Sequence, residues 1–484
     1  MESSYIAIDI GASSGRVVVF FNNGLNYEYK VLHRFKDYLR SDKKYLYWDI
    51  DYMYDQILKG IKFATKNYSN IKSIGIDTFG VDVVLLDNKK QVLIEPFSYR
   101  NNLGLVTSKI VEKSLPRERL YNLTGIQYNH FNTLYQLVYF KEVLDLNFNK
   151  VLLLPDYFAY LLTGEMRTEE TIFSSTNLMN ARNYQMIDEI EKLKLNKDMF
   201  PPLIKPGETY GYLKPEVKDL IKINYDIKVV SVCSHDTASA VRSIPNLDSR
   251  LFLNSGTMGV LGALIDSPVL TSKSLYYNYS NELGHDRKVR LLKNTMGLWI
   301  QNEAIRAYIN EYPNKTLEEV RKTVLESRGV KSFIDVDDDR FTAPSNMITA
   351  INSYLRETNQ EELEYIGDII FCIYQSLALK YYFNIEELEE ITNNNYDSIH
   401  VIGGGSNIDV FLQIIADITR KKVYRGETEA TILGNLYVQL NSDQKVDNID
   451  NFYNMITKRE NKIYYPNNDK SYENVINKFN KIFN

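Results

Sequence analysis

Acidic and small polar residues stand at the points where several apolar stretches of the sequence end. Asp236, in KVVSVCSHDTASAV (residues 228–241), directly follows an apolar strand pattern and precedes small residues that let backbones approach closely. An acid at the carboxyl end of an interior α/β strand lies where such folds bind ligands, and it can serve as a general base. The same pattern also fits Asp236 as the N-cap of the following helix, and spacing alone leaves both interpretations open.

The first apolar strand contains an acid and leads into a turn of small residues, DIGASSGR (residues 9–16). Backbone N–H groups in a wide Gly/Ser turn suit an anion such as phosphate, although the same residues also fit a loose hairpin. Asp9 inside the strand is costly to bury unless it is paired or shares its charge with a cation. Two interpretations are therefore open: a magnesium–phosphate site at Asp9, and an ion pair between Asp9 and Arg16.

Small-residue turns of this kind recur after three later strand patterns, at residues 234–237 (SHDT), 254–257 (NSGT) and 403–405 (GGG). One such turn is weak evidence, because glycine occurs in any tight turn. Several of them in two α/β units are typical of a polyphosphate held from both sides of a cleft. None matches the P-loop or the dinucleotide-binding pattern, so we predict that a bound nucleotide is held by two domains.

Two further stretches contain polar residues that could belong to a site. Asp77 and Asp82 flank TFG (residues 78–80), where a sugar-binding loop competes with ordinary turn chemistry, and the local pattern favours the turn. The stretch LKNTMGLWIQNEAIR (residues 292–306) predicts a helix. Asn294 within it is either a polar site residue or a cap.

Length and charge limit the possible classes of protein. A chain of 484 residues is too long for one hydrophobic core and predicts at least two domains. A net charge of −5, with Lys and Arg dispersed, gives no basic surface for nucleic acid. The opening residues lack a signal-peptide pattern and no apolar stretch approaches the ~20 residues that span a bilayer, so we expect no membrane partner and a cytoplasmic location. Cys233 and Cys372 are expected to be buried free thiols.

The order of the elements indicates an α/β protein in which one architecture occurs twice. The first half alternates strand and helix patterns, and RLFLNSGTMGVLGALID (residues 250–266) repeats the opening series of strand, small polar turn and strand. The loop RSIPNLDSR (residues 242–250) separates the two series. We therefore predict an N-terminal domain at residues 1–245, a C-terminal domain at 246–445, and a tail at 446–484 made of a loop and a terminal helix.

Taken together, these motifs resemble the FGGY family of carbohydrate kinases from about residue 5 to residue 440. The match is carried, in order, by DIGASSGRV, IGIDTFGVDVVLLD, GIQYNHFNTLYQL, LLPDYFAYLLTGE, SHDTASAV, LNSGTMGVLG, LLKNTMGLW, DDDRFTAP, VIGGGSN and ETEATILGNLYVQL. DIGASSGR, SHDTASAV and the LKN and MGLW elements are most similar to the branch of the family that phosphorylates L-rhamnulose. The resemblance implies two actin-like, ribonuclease-H-like α/β domains with a ligand cleft between them.

The family reaction implies ATP and Mg²⁺ as cofactors, and transfer of a phosphoryl group to the 1-hydroxyl of L-rhamnulose in L-rhamnose catabolism. Asp236 matches the catalytic base and Asp9 the magnesium-side carboxylate. The positions that match ATP contacts are Ala12, Ser13, Ser14, Gly15, Arg16, Thr257, Asn302, Gly403, Gly404 and Gly405. The positions that match sugar contacts are Gly80, His235, Asp236, Thr237 and Asn294. The implied partners are ATP and a small ketose, and the implied state is a monomer or small homo-oligomer.

The sequence departs from the family pattern at several positions. Asn101 and Leu103, in YRNNLG, replace an acid and an arginine, while Phe79 and Met258 replace tryptophans and Asn302 replaces a glutamine. The loss of charge at 101–103 bears on the identity of the sugar, because in the family this loop lies near the sugar site. Two alternatives are therefore kept: a kinase of another ketose such as L-fuculose or L-ribulose, and an actin-like ATP switch or sugar sensor that transfers nothing.

Overall fold

The computed structural model describes residues 3–24, 26–327, 331–456, 462–467, 475–477 and 479. Its strands are β1 Ser4–Ile10, β2 Ser14–Asn22, β3 Tyr27–Lys36, β4 Leu39–Ser41, β5 Leu46–Trp48, β6 Ile71–Thr78, β7 Val83–Leu86, β8 Lys150–Leu153, β9 Thr168–Glu169, β10 Leu203–Ile204, β11 Thr209–Tyr212, β12 Lys228–Val230, β13 Leu251–Ser255, β14 Met258–Ile265, β15 Ser280–Leu283, β16 Val289–Met296, β17 Ser398–Ile402, β18 Lys422–Arg425 and β19 Ile463–Tyr464. Its α-helices are α1 Ile50–Asn67, α2 Gly104–Ser114, α3 Arg117–Thr124, α4 Thr133–Val138, α5 Leu154–Thr163, α6 Glu170–Phe173, α7 Pro215–Ile221, α8 Asp236–Arg242, α9 Ser272–Tyr276, α10 Trp299–Glu311, α11 Leu317–Lys322, α12 Met347–Glu357, α13 Ile366–Thr392, α14 Asp409–Thr419, α15 Ala430–Ser442 and α16 Ile449–Met455. Within this described part of the chain, no helix combines the length and the apolar character needed to cross a membrane.

The chain divides into two compact units that do not follow its order. Unit 1 contains Met1–Pro245, Leu264–Leu291 and Glu429–Arg459, and unit 2 contains Asn246–Ala263, Leu292–Thr428 and Glu460–Asn484. The first segment of unit 1 ends at the predicted boundary, but helices α9, α15 and α16 come from beyond it and belong to the same unit. Most of the terminal helix expected in the tail lies outside the described residues.

Unit 1 is built on a six-stranded sheet in the order β11-β12-β6-β1-β2-β3. β1 and β2 form an antiparallel hairpin, whereas β1, β6 and β12 run parallel, so their carboxyl ends meet at one edge of the sheet. Because side chains alternate along a strand, Ile6 and Ile8 face one side, and Tyr5, Ala7 and Asp9 face the other.

Helix α1 covers the Ile6 and Ile8 side of this sheet. Its N-cap Asp49 accepts a hydrogen bond from the Tyr52 N–H at 3.1 Å, which satisfies one of the free amides of the first turn. Its buried residues recur at helical spacing, as the sequence predicts, and include Met53 and Ile57.

Helix α15 covers the opposite side. Leu433 and Leu436 pack in one core cluster with Tyr5 and Ala7 of β1. Each aliphatic side chain buried in this way contributes about 1.5–3 kcal/mol. The first strand of the chain is therefore covered by a helix that lies more than 400 residues later in the sequence.

Unit 2 repeats the strand arrangement of unit 1. Its sheet contains β16-β14-β13-β17-β18-β19 as successive neighbours. β13 and β14 are an antiparallel hairpin, and β13, β17 and β18 run parallel. The series of strand, turn and strand that the sequence predicts twice therefore occurs in both units.

One predicted element is wrong. Residues 292–306 do not form a single helix, since β16 continues to Met296 and α10 begins at Trp299. Gly297 separates them, and a Cβ there would lie 2.6 Å from the backbone carbon of Met258. Close packing of Gly297 against the hairpin that contains β14 determines where the strand ends and the helix begins. The helical spacing of the flanking residues does not indicate this position. Cys233 and Cys372 are buried and free, as predicted.

Candidate active site

Asp9 and Arg16 lie opposite each other in the β1–β2 hairpin. Arg16 donates from Nε at 2.9 Å and lies within 2.7 Å through Nη2, and both contacts are to Asp9 Oδ2. Its remaining amine, Nη1, bonds Glu429 at the start of α15. Burial raises the pKa of Asp9, and the Arg16 guanidinium offsets this only in part. The ion-pair interpretation of Asp9 is therefore realised in the structure, so a metal ion is not needed to explain why this carboxylate is buried.

The turn between β1 and β2 is a short, constrained connection. Gly11 N–H donates to Ser14 O at 3.0 Å, while the Tyr38 hydroxyl donates to Gly11 O from outside the turn. A Cβ on Gly15 would lie 2.2 Å from the Phe35 ring, so a larger residue there would have to displace the ring. Ser13 and Ser14 are exposed at the tip. The Tyr38 hydroxyl thus anchors the turn to the protein, and Ser13 and Ser14 are exposed to solvent.

Asp77 lies beside Asp9 as its register partner on the parallel strand β6. Its side chain is fully buried, and Asn435 Nδ2 of α15 donates to its Oδ2 at 2.6 Å. The second oxygen, Oδ1, is buried and has no hydrogen-bond partner among the described residues. Burial raises the pKa of Asp77, and the neighbouring Asp9 raises it further.

A chain of buried polar side chains continues from Asp77 along the interface of β6 and α15. Gln439 Nε2 donates to Asn435 Oδ1 at 2.7 Å and to Ile6 O at 3.0 Å. Ser73 Oγ in turn donates to Gln439 Oε1 at 2.6 Å. A Cβ on Gly75, between them on β6, would lie 2.4 Å from Asn435, so glycine is required for this close approach. The network fixes α15 over the strand that contains Asp77.

The segment that leads to Asp236 is held by two hydrogen bonds at Ser234. Thr78 N–H at the end of β6 donates to Ser234 O at 2.9 Å. Ser234 N–H donates to Glu169 Oε2 at 3.2 Å, and the same carboxylate accepts from the N–H groups of Thr171 and Ile172. Glu169 is fully buried and therefore connects the start of α6 to the residues just before Asp236.

Asp236 is the first residue of α8 and makes its contacts through one oxygen. Thr237 donates to Asp236 Oδ1 from its N–H and from its hydroxyl, the latter at 3.1 Å, and His235 Nδ1 lies 3.0 Å from the same oxygen. Burial raises the pKa of Asp236, but the His235 and Thr237 contacts outweigh it and leave the pKa below its ordinary value. The side chain is therefore a carboxylate at neutral pH, with Oδ2 outside these contacts.

His235, not Asp236, caps the helix. It stands at the N-cap position with Nδ1 3.2 Å from the Thr237 N–H, which also donates to Asp236 Oδ1. The cap interpretation of Asp236 is thus wrong in detail, because the preceding histidine has that role. A Cβ on Gly80 would lie 2.9 Å from His235 Nε2, so glycine at position 80 makes room for the imidazole.

The small residues after Asp236 allow the close approach that the sequence predicts. A Cβ on Gly434 of α15 would lie 1.7 Å from Ser239 O of α8, so the two helices cross with their backbones nearly in contact. Ser239 Oγ also donates to Thr431 O at 3.1 Å. Helix α15 therefore packs against α8, which begins with Asp236. It also bonds Asp77 through Asn435, and Arg16 through Glu429 at its N-terminus.

An aromatic cluster lies at the end of β6, next to Gly80. Phe79 packs on Trp48 with ring centroids 4.8 Å apart and on Tyr99 at 6.0 Å. Asp82, fully buried, accepts from Trp48 Nε1 at 2.6 Å and from Tyr99 N–H at 2.9 Å. Burial raises the pKa of Asp82 to about 7, although these donors lower it. The turn-chemistry interpretation is therefore wrong for Asp82, because its carboxylate accepts from residues distant in sequence and holds the cluster together.

The replacement of an acid by Asn101 has a local structural reason. Asn101 Oδ1 accepts from Leu46 N–H at 2.9 Å, and its Nδ2 donates to Leu46 O at 2.8 Å. A carboxylate could accept the first bond but could not donate the second. The amide is therefore used to hold strand β5, and Leu103 beside it is buried.

Thr257 lies in unit 2, in the turn between β13 and β14, and it contacts the start of α10. Trp299 N–H donates to Thr257 O at 3.1 Å, and Leu298 N–H donates to Gly256 O at 2.9 Å. Asn302, one turn later on α10, is exposed, and Asn294 lies on β16. The expected nucleotide residues Thr257 and Asn302 thus belong to adjoining elements.

The glycine turn at 403–405 packs on the end of β13. Gly403 has φ of 79°, and a Cβ there would lie 2.8 Å from Asn254 Oδ1. A Cβ on Gly405 would lie 2.2 Å from Ser255 Oγ. Unit 2 therefore brings two of the predicted small-residue turns together at the carboxyl ends of β13 and β17.

The expected site residues fall into two groups. Unit 1 contains Asp9, Ala12, Ser13, Ser14, Gly15, Arg16, Gly80, His235, Asp236 and Thr237, and unit 2 contains Thr257, Asn294, Asn302, Gly403, Gly404 and Gly405. Within the described residues, no group of three or more His, Cys, Asp or Glu side chains could hold a metal ion. Magnesium prefers oxygen ligands and is usually bound by one or two carboxylates together with phosphates and waters, so Asp9 fits such an ion when phosphate is present.

Sequence reasoning missed three residues that support this site. Glu429 and Asn435 lie in ETEATILGN, and Glu169 lies in RTEETIF. Asn435 and Gln439 stand four residues apart in an otherwise apolar helical run, which is a signal of buried polar side chains on one helix face. Glu169 has no comparable signal, because an acid before a short helix is ordinarily an exposed cap.

Two family models match most of the chain. Residues 4–242 match the N-terminal domain of the FGGY family of carbohydrate kinases, and residues 251–442 match its C-terminal domain. With the acid at the end of a parallel strand in unit 1 and the glycine turn in unit 2, this defines a two-domain α/β kinase. The chain belongs to the FGGY family of carbohydrate kinases, and it is a carbohydrate kinase enzyme.

The relatives with the higher sequence identity belong to one group within this family. The rhamnulokinase of Oceanobacillus iheyensis is 38% identical over 453 residues, which is 93% of this chain and 95% of the relative. The rhamnulokinase of Bacillus subtilis is 38% identical over 452 residues, 92% of this chain and 91% of the relative.

Solved structures of low sequence identity have the same fold. A ligand-bound xylulose kinase from Lactobacillus acidophilus matches with a TM-score of 0.78 at 16% identity, covering 99% of this chain and 96% of the other. The glycerol kinase of Plasmodium falciparum with ADP matches with a TM-score of 0.76 at 14% identity, covering 100% and 98%. The two-domain, actin-like α/β fold expected from the sequence is therefore confirmed.

Proposed function

We propose that this enzyme transfers the γ-phosphoryl group of ATP to the 1-hydroxyl of L-rhamnulose, giving L-rhamnulose 1-phosphate and ADP in L-rhamnose catabolism. The relatives named rhamnulokinase, at 38% identity over more than nine-tenths of the chain, support the choice of sugar. One observation in the structure carries the chemistry. Asp236 is a carboxylate at the edge where the parallel strands end, and one of its oxygens lies outside its contacts with Thr237 and His235.

In this proposal Asp236 is the catalytic base. It accepts the proton of the sugar 1-hydroxyl as that oxygen bonds to the γ-phosphorus, and the bond from phosphorus to the bridging oxygen of ADP breaks. The proton then leaves Asp236 for solvent. Because its pKa is lowered, Asp236 is ready to accept at neutral pH, and it gains the proton only when the hydroxyl becomes acidic in the transition state.

The remaining residues bind and orient the two substrates. Gly80, His235, Thr237 and Asn294 contact the sugar, and Ala12–Arg16, Thr257, Asn302 and Gly403–Gly405 contact ATP. Asp9 would hold Mg²⁺, which when bound neutralises charge on the phosphates. Most of the rate enhancement comes from positioning and charge neutralisation, because phosphoryl transfer has a loose transition state.

A panel of ketoses tests the substrate. ADP release is measured with L-rhamnulose, L-fuculose and L-ribulose, the sugars are ranked by kcat/KM, and the products are identified by NMR. We expect L-rhamnulose to lead by at least about tenfold, a difference worth ~1.4 kcal/mol, and to give the 1-phosphate. A tenfold preference for another sugar would replace L-rhamnulose as the substrate, and ATP binding without any sugar phosphate would contradict phosphoryl transfer altogether.

A further inference from the structure

Asp77 is a fully buried acid that lies next to a second, partly buried acid. Asp9 and Asp77 are register partners on the parallel strands β1 and β6, so their side chains project to the same face of the sheet. Arg16 bonds the Oδ2 atom of Asp9, and its third amine goes to Glu429. The guanidinium therefore makes its hydrogen bonds to Asp9 and Glu429, and it reaches Asp77 only through its charge, which lowers the pKa of that acid.

The hydrogen bond that Asp77 accepts uses one of its two carboxylate oxygens. Asn435 Nδ2 bonds Oδ2 at 2.6 Å and is itself fixed by Gln439, so this oxygen is committed to α15. Oδ1 is buried, and none of the described residues donates a hydrogen bond to it. A buried oxygen without a donor destabilises the fold, and more so when the group is charged. Such an atom needs an explanation, and a bound ion or water is one that its chemistry supports.

We propose that Asp77 is the second protein carboxylate of a divalent-cation site that it shares with Asp9. A cation bound by both carboxylates would complete Asp77 Oδ1 and offset the repulsion between two acids directly opposite each other. The inference rests on the proposed function, because the remaining ligands would be phosphate oxygens of the nucleotide and water. Two carboxylates with phosphate and water are the usual ligand set of Mg²⁺.

Asn435 fixes the orientation of the Asp77 carboxylate. Its amide both donates to Asp77 and accepts from Gln439, so the carboxylate is held in one orientation. The buried network from Ser73 to Asn435 therefore acts to position Asp77, and it does not itself contact the cation.

The test compares ADP affinity with and without Mg²⁺ in the full-length protein. Asp77→Asn keeps the size of the side chain, and its amide oxygen can still accept from Asn435. Asp77→Ser is a second, smaller variant. Asp156→Asn is the matched control, since Asp156 is also a fully buried carboxylate of unit 1 with one unpartnered oxygen among the described residues, but it lies on α5 and pairs with Tyr210. Dissociation constants for ADP are measured by calorimetry in EDTA and in Mg²⁺.

We expect Mg²⁺ to tighten ADP binding at least tenfold in the wild type and in Asp156→Asn, but less than threefold in both Asp77 variants. In EDTA, the Asp77 variants should bind ADP as tightly as the wild type or more tightly, because a negative charge near the phosphates has been removed. Asp77→Asn should also raise the thermal midpoint without metal, since its amide can donate to Asp9 in place of the repulsion.

An unchanged Mg²⁺ effect in both Asp77 variants, or a wild type whose ADP affinity ignores Mg²⁺, would overturn the proposal. An equal loss in Asp156→Asn would also overturn it, because the effect would then belong to buried carboxylates in general. A parallel assay of the wild type with L-rhamnulose separates this result from the proposed function. If the wild type phosphorylates L-rhamnulose and the Asp77 variants keep the full Mg²⁺ effect, only the role of Asp77 is contradicted. If the predicted Mg²⁺ effect is seen but L-rhamnulose is not phosphorylated, only the proposed sugar is contradicted.

Discussion

At the scale of single residues, the charges around Asp9 form one connected system with too few cations. Arg16 forms ion pairs with Asp9 and Glu429, while the hydrogen bond that Asp77 accepts among the described residues comes from the neutral amide of Asn435. The electrostatic influence of Asp236 also reaches Asp9 and Asp77 and raises the pKa of each. A site with this excess of negative charge favours a bound cation, which is why the nucleotide is expected to enter with magnesium.

Gly80 is a residue whose substitution should affect the sugar more than the nucleotide. A Cβ in Gly80→Ala would lie 2.9 Å from His235 Nε2 and would force the imidazole to move. Overpacking of this kind costs about 1–3 kcal/mol, so we expect KM for the sugar to rise roughly five- to 150-fold while KM for ATP stays within about twofold. Steady-state kinetics with each substrate varied in turn measure both.

The control for Gly80→Ala is Gly211→Ala on edge strand β11. There a Cβ would meet only the side chains of Glu165 and Thr163, at 3.3 Å or more, so kinetics should remain near wild type. A Gly80→Ala enzyme with an unchanged KM for the sugar would show that the His235 ring does not help to bind it.

The sequence allowed Asp236, Asp9 and Arg16 to be singled out because each stands at a pattern boundary, where an apolar run meets an acid or a small-residue turn. It offered Arg16 as a partner of Asp9, but it could not reveal that Arg16 also bonds Glu429. Asp77 was assigned to turn chemistry, since an acid before TFG looks the same whether it faces solvent or a second strand. Its burial beside Asp9 depends on the parallel pairing of β1 with β6, which no local pattern contains.

At the scale of elements, buried acids support the segment that leads to α8. Asp156 on α5 accepts from the Tyr210 hydroxyl at 2.6 Å and from Glu169 N–H at 3.1 Å, and Glu169 in turn holds Ser234. Burial raises the pKa of Asp156 to about 7 and that of Glu169 to about 8, although their donors lower both. These groups connect the stability of unit 1 to pH.

The sign of the effect follows from the raised pKa of Asp156. The folded state holds its proton up to about pH 7, whereas the unfolded chain releases it near pH 4, so its contribution to stability is present at low pH and is lost as the pH rises through 7. We expect Asp156→Asn, which cannot ionise, to lose less stability than the wild type between pH 5 and pH 7.5. The difference should be about 2–3 kcal/mol, from ~1.4 kcal/mol per pH unit.

Thermal unfolding midpoints of both proteins at pH 5, 6, 7 and 7.5 provide this comparison. The gap between the variant and the wild type should move by several degrees in favour of the variant as the pH rises. If the difference in midpoint between the variant and the wild type is the same at every pH, Asp156 is already ionised in the folded protein at pH 5.

Most individual elements were predictable from apolar periodicity. The error at residues 292–306 shows a place where periodicity does not give the correct element. The period of three to four residues in IQNEAIR identifies α10, but it extends smoothly into KNTM, which forms the end of β16. Gly297 makes the break because of its contact with Met258, a residue close to it only in the folded sheet. Tertiary packing overrides local preference at this point.

At the scale of the whole molecule, unit 1 is completed by chain that the sequence alone assigns to the second domain. Ile432, Leu433 and Leu436 of α15 cover Tyr5 and Ala7 of the first sheet. An alternation of strands and helices gives the order of elements along the chain, but it does not show that a late helix returns to an early sheet. For this reason the composition of unit 1 could not be predicted from the sequence.

The return of α15 predicts that residues 1–245 do not fold alone, although the N-terminal family model ends at residue 242. Without α15 the Tyr5 and Ala7 face of the sheet would be exposed to water, and each large apolar side chain left uncovered costs about 1.5–3 kcal/mol. We expect the fragment to unfold without a cooperative thermal transition. Co-expression of residues 429–459 should restore part of that transition, and a fragment that melts cooperatively by itself would contradict the assigned role of α15.

The most direct test of phosphoryl transfer is the Asp236→Asn enzyme, assayed for sugar phosphate formation together with its affinity for ATP. The asparagine keeps the shape of the side chain but cannot accept the proton of the hydroxyl. Sugar phosphate formation should fall by about 10²–10⁴-fold, the usual contribution of a general base, while the dissociation constant for ATP changes by less than about threefold. A variant that still forms L-rhamnulose 1-phosphate at near the wild-type rate would contradict the account.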